Sequence, residues 1–188
     1  MFGINDTVQY GTNGVCRITD VVTKNFGGDC IRYYVLEPVH QAHSVVYVPV
    51  KNERLVAKMK KLLSEQKVET LVQEIPQCRI EWIEDDSLRQ ETYKAILAKG
   101  ERRELLGLIR VLYSRQQTLK ERHRHLRTAD KQVLKTAEKL INDEFAAVLH
   151  ISLDEVVPFI MNKLERSEKT YKYAEVCYVP RIGADFLR

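Results

Sequence analysis

Apolar and polar residues alternate in short runs over the first fifty positions. Val8 and Tyr10 flank Gln9, and Val15, Ile18, Val21 and Val22 resume the pattern after a turn signal at Gly11, Asn13 and Gly14. Ile31 to Leu36 is a β-branched and aromatic run. Val45 to Val50 is another, with Pro49 marking an edge or a strand end. Phe26-Gly27-Gly28-Asp29 predicts a hairpin, because glycine reaches positive φ without a Cβ clash. Four or five short strands joined by tight turns predict a small β-barrel.

The period changes after Asn52. Leu55, Met59, Leu62 and Leu63 recur at helical spacing and predict a short helix across the barrel mouth. The stretch from Thr70 to Ile75 is too short to assign, and Pro76 opens a mixed connection that runs to Glu84. From Asp85 the pattern is helical. Ser87 and Gln90 read as a capping box, Tyr93, Ile96 and Leu97 as an inward face, and Gly100 as the stop. Leu105, Leu108, Ile109, Leu112 and Tyr113 form the stripe of a second helix. Thr128 reads as the N-cap of a third, with Val133, Leu134, Ala137, Leu140, Ile141 and Phe145 inward. Ser152 and Glu155 box a fourth, with Val156, Val157, Ile160 and Leu164 inward, and Pro158 is expected to kink it or shift its start.

The fold class is therefore α+β: a small β-barrel over residues 1–75, then a compact helical bundle over residues 76–166. The tail, residues 167–188, holds Tyr171, Tyr173, Tyr178 and Phe186 but has no clear period. No run approaches the ~18 apolar residues of a membrane span, and MFGINDTVQY lacks the basic start and apolar run of a signal peptide. Cys16, Cys30, Cys78 and Cys177 are scattered without a CxxC pair, so reduced thiols in the cytoplasm are expected.

Charge adds a feature that the periodicity does not show. The chain of 188 residues carries a formal net charge of +4, yet residues 89–139 alone hold 14 basic against 6 acidic side chains. Residues 76–88 are acidic and the remainder nearly balanced. A cationic stretch inside a balanced chain attracts polyanions by Coulomb steering and counterion release. Arg89, Lys94, Lys99, Arg102, Arg103, Arg110 and Arg115 spread over the first two helices, and Arg122, Arg124 and Arg127 cluster before the third. Lys131, Lys135 and Lys139 recur at i, i+4, i+8 on a solvent-side stripe, free to meet phosphates.

Catalytic constellations are missing. The glycines fit β-turns and not phosphate-cradling loops, and Ser44 and Ser114 have no base at a characteristic spacing. Glu84, Asp85 and Asp86 suit a helix N-terminus. His40 and His43 are spaced i, i+3, but only Cys30 could join them as a metal ligand. No enzyme, metal, cofactor or small-molecule substrate is expected. Trp82, the single tryptophan, reads as a plug between the two units or as an exposed anchor.

The sequence resembles the CarD/CdnL family of bacterial RNA-polymerase-binding transcription regulators. The resemblance rests on Phe2, Asp6-Thr-Val8-Gln-Tyr10, Gly14-Val15 and Ile18, then Tyr33-Tyr34-Val35-Leu36 and Val46-Tyr47-Val48-Pro49-Val50. In the helical half it rests on Tyr93-Lys94-Ala95 with Leu97, and on Leu126, Asp130-Lys131, Leu134 and Ala137. It implies a Tudor-like barrel that binds the polymerase β subunit and a helical unit that touches promoter DNA and stabilises the open complex. It implies polymerase contacts at Lys24 and Tyr47, the latter standing where arginine is the familiar residue. It implies DNA contacts at Arg89, Lys94 and Lys131, with Arg89 at the position of a tryptophan wedge in some members. The competing reading is an interaction adaptor, with a peptide-binding barrel and a scaffolding bundle.

Overall fold

The computed structural model describes residues 2–26, 29–40 and 44–166. The N-terminal half is an antiparallel sheet of five strands: β1 (Thr7–Tyr10), β2 (Val15–Phe26), β3 (Asp29–Pro38), β4 (Val46–Pro49) and β5 (Met59–Lys61), in the order β4-β3-β2-β1-β5. The strands expected from the alternation are present, but they form an open sheet and not a closed barrel. β4 and β5, the two ends of the order, are only four and three residues long. Between them α1 (Glu53–Val56) sets Leu55 and Val56 against the sheet's core of Val8, Cys16, Ile18, Leu36 and Val48. Met59, read as helical from its spacing, is instead on β5 and inside that core.

One irregularity decides which side chains point outward. The β2–β3 ladder slips between Ile18 and Asp20, leaving Thr19 as an extra residue. Because strand side chains alternate with period two, the bulge lets Ile18 and Val21, three apart, pack on the same core. Val22 and Lys24 are thereby turned to the opposite face.

The helical half contains α2 (Glu65–Glu74), α3 (Asp86–Lys99), α4 (Arg102–Glu121), α5 (Thr128–Leu149) and α6 (Leu153–Arg166). α2, which periodicity left unassigned, places Val68, Leu71 and Val72 in the helical core with Leu105, Leu108, Ile109, Leu140, Phe145 and Ile160. α3 starts earlier than the Ser87–Gln90 box would have it, because Asp85 accepts from the Leu88 N–H and is the cap. Gly100 ends it at φ 62°, as expected. Half of the Ser152–Glu155 box forms: Glu155 accepts from the Ser152 backbone and hydroxyl, while its own N–H donates to the Ser152 carbonyl, and α6 continues through Pro158. The tail (residues 167–188) and the Gly27-Gly28 turn lie outside the described residues.

The helices contact the sheet at the Gly11–Asn13 turn and on β2. Gln9 and Val15 are buried there without belonging to the sheet's own core. Glu144 of α5 is 0% exposed and accepts from Arg102 Nε at 2.9 Å, Arg102 Nη2 at 2.8 Å and the Leu63 N–H at 3.1 Å. Arg102 also donates to the Lys61 carbonyl of β5 at 3.1 Å. Lys139 donates to the Asn13 carbonyl at 3.3 Å and to Asp143 at 2.8 Å. At this junction Gly14 has φ 79° and ψ −146°, and an added Cβ would lie 2.6 Å from Asp143 Oδ2. Gly14→Ala is therefore expected to lower stability by about 2 kcal/mol, read as a lower urea midpoint with an unchanged m-value.

Candidate functional site

The open end of the outer sheet face brings the two expected polymerase contacts together. Lys24 on β2 places its Nζ 3.6 Å from the centroid of the Tyr47 ring on β4. β3 lies between them. Tyr33 on that strand meets Tyr47 edge to face, with centroids 6.2 Å apart. The register pairs Tyr33 with Pro49 and Val35 with Tyr47, so the two tyrosines are diagonal neighbours. Tyr47 is 44% exposed although large and apolar, and Val45 beside it is exposed as well. The Lys24 ammonium over the ring keeps this aromatic face wet at one end.

In the helical half the structure separates residues that the sequence grouped. Arg89 is 2% exposed. Its Nε and Nη2 donate to Asp130, Nη2 also to Asp86, and Nη1 to the Ile83 and Glu84 carbonyls. Burial alone would lower the guanidinium pKa, and the bonds to Asp130 and Asp86 outweigh it and hold the group above its ordinary value. Gln90 donates to the same Asp130 at 2.8 Å. Arg89 thus clamps the start of α3 to the start of α5 and has no donor left for a phosphate. The Arg89 guanidinium also lies over the Trp82 ring at 4.4 Å, and the Arg115 guanidinium lies over it at 4.7 Å. Trp82 is half-buried and packs against the helical core, and it does not join the sheet's core as a plug between the two units would. Tyr93 below it is fully buried, which pushes its phenol up to about 12.

Much of the cationic stretch is occupied by the fold itself. Lys99 pairs with Glu104, Arg102 with Glu144, Arg103 with Glu74, Arg115 with Glu84, Arg127 with Asp86 and Lys139 with Asp143. Arg110 donates to the carbonyls of Ile75, Pro76 and Cys78. Lys94, Lys120, Arg122, Arg124, Lys131 and Lys135 remain exposed, without an ion pair among the described residues. Lys120, Arg122, Arg124 and Lys131 lie around the connection from α4 to α5. The Arg89–Asp130 clamp joins the starts of α3 and α5, α4 ends beside them, and Lys94, Lys131 and Lys135 lie within about 12 Å of those helix starts at 1.5 Å per residue. Of the expected DNA contacts, Lys94, Arg124 and Lys131 are exposed, and Arg89 is buried.

Residues 2–62 match the family model described as the CarD-like/TRCF RID domain, the RNA-polymerase-interacting domain. No curated protein matches the chain. The family that this model describes is a protein-interaction domain. Its matched range ends where the sheet ends, one residue beyond β5, and the helical half lies outside it.

Within residues 2–62, sequence reasoning missed Tyr33 as a neighbour of Tyr47 on the outer face. The signal was present in the Tyr33-Tyr34 pair, since adjacent strand residues must point to opposite sides and Tyr34 is in the core. Glu144 and Arg102, which join the sheet to the helices, carried no signal: both fell within unremarkable charged helix positions. The described residues contain no cluster of ligands suited to a metal, and His43 lies outside them. No described helix is long and apolar enough to cross a membrane.

Proposed function

We propose that this protein is a transcription regulator. It docks on the RNA polymerase β subunit through the Lys24–Tyr33–Tyr47 face of its RID domain and lays the exposed cationic side chains of its helical half on promoter DNA. The observation that carries the reading is the Lys24–Tyr47 contact on an open aromatic face of a polymerase-interacting domain. An exposed Tyr47 packed on a half-buried Tyr33 beside a cation offers large rigid area at low entropy cost, which is the make-up of an interface hot spot.

Lys94, Arg124 and Lys131 are the proposed DNA contacts. They bind phosphates without reading sequence, so alone they give weak, salt-sensitive affinity. Docking on polymerase supplies the position, because tethering raises their effective concentration beside one DNA segment. The Glu144–Arg102 junction keeps the two surfaces at a fixed separation, so the gain is not spread over many geometries. If the bound DNA segment is better matched in the melted promoter, the open complex gains by that difference alone.

Lys24→Glu in the full chain is expected to weaken capture of the isolated β lobe by about tenfold or more, with an unchanged melting temperature. Capture unchanged within about twofold would remove the proposed docking face. The double variant Lys94→Glu with Lys131→Glu is expected to reduce the salt slope of duplex binding by about two, one for each phosphate that is no longer neutralised.

A further inference from the structure

A cleft of about 470 Å³ opens in the helical half, between Trp82, the end of α4 and the start of α5. That volume is in the range of small-ligand sites. Its walls differ in how their charges are spent. Asp130 and Asp86 already accept from Arg89, and Asp86 also from Arg127. Arg115 is only loosely held. It stacks on Trp82 and approaches Glu84 at 3.7 Å, beyond hydrogen-bond length, and its Nε has no partner. Arg124 and His125 line the same cleft, are exposed, and make no side-chain bond among the described residues.

A third feature points the same way. α5, which is 22 residues long, has Arg127 as its N-cap residue without a side-chain cap, and Arg127 and the first-turn Asp130 both line the cleft. Its leading N–H groups and helix dipole add to the guanidinium field. The exposed Arg124 guanidinium and the Arg115 guanidinium, held only by its long Glu84 contact and its stack on Trp82, provide the donors of a phosphate site beside an uncapped helix start.

We propose that this cleft binds phosphate groups, with Arg124 and Arg115 as the principal donors and His125 at the rim. The phosphates belong either to a nucleic-acid backbone or to the polyphosphate chain of a free nucleotide. The free-nucleotide source goes beyond the regulator reading, and the backbone source rests on it.

The test uses the full chain and two probes, inorganic tripolyphosphate and a 20-base-pair duplex, by calorimetry at low salt. Arg124→Glu alters an exposed side chain, and Lys67→Glu on α2 is the remote charge control, placed where Ser64 would cap it favourably. Saturable tripolyphosphate binding that falls about tenfold in Arg124→Glu and not in Lys67→Glu supports the site with a free polyphosphate. Absent tripolyphosphate binding, with duplex affinity falling about tenfold in Arg124→Glu alone, supports it with a backbone phosphate. Equal effects of the two variants on both probes, or no effect of Arg124→Glu on either, overturns it. Tripolyphosphate binding without any duplex binding would leave the cleft standing and remove the DNA part of the proposed function.

Discussion

Arg89→Ala is expected to lower folding stability by about 3–5 kcal/mol, a drop of roughly 10 °C in melting temperature, and to leave the salt slope of DNA binding unchanged. The size follows from what the truncation strands. Asp130 is almost fully buried and loses its cation, keeping only Gln90, while the Ile83 and Glu84 carbonyls lose their donor. An uncompensated buried charge is far more costly than the ion pair was favourable. Arg89→Lys is expected to recover little, because one ammonium group cannot replace a planar fork that reaches two carboxylates and two carbonyls. The two readouts separate the two roles that a basic residue can have here. A stable Arg89→Ala protein with a salt slope reduced by about one would make Arg89 a phosphate contact after all.

Glu144→Ala is expected to have an effect of similar size, for a different reason. Glu144 holds Arg102 and the Leu63 N–H at the seam between the sheet and the helices, with no solvent to replace it. Its removal is expected to cost about 3–5 kcal/mol in denaturant unfolding. Arg102→Ala in the same background is expected to add much less than it costs alone, since the charge it would strand is already gone. Fully additive costs would mean that the two side chains do not act as a pair. The same variant, if folded, is expected to keep β-lobe capture while shortening any effect on the promoter, because the seam sets the distance between the two surfaces.

What the sequence made legible was what local rules govern. Strand alternation, the Gly100 stop, the Ser152–Glu155 box and the stripes of α4 and α5 each depend on neighbours a few residues apart. The misreadings have tertiary causes. Strand count suggests a barrel but does not reveal whether the end strands meet, and α1 stands between them. Met59 fits a helical spacing by coincidence with a three-residue strand. The Thr19 bulge cannot be read from composition, yet without it Lys24 would share a face with Ile18 and point into the core. Charge has the same weakness: the cationic run is visible, but which of its members the fold consumes depends on acids far along the chain. Arg89 and Asp130 are 41 positions apart, and Arg102 and Glu144 are 42. Exposure then leaves Lys94, Arg124 and Lys131 available and takes Arg89 away.

The lifetime of the open complex on a single promoter brings both surfaces into one number. With polymerase alone as the reference, the wild-type chain is expected to lengthen that lifetime several-fold. Lys24→Glu is expected to abolish the gain at low protein concentration and to regain part of it in excess, as lost docking is offset by mass action. Lys94→Glu with Lys131→Glu is expected to abolish it at every concentration. An open-complex lifetime that the wild-type chain leaves unchanged, at concentrations where β-lobe capture is saturated, would overturn the reading of a docked, DNA-gripping regulator.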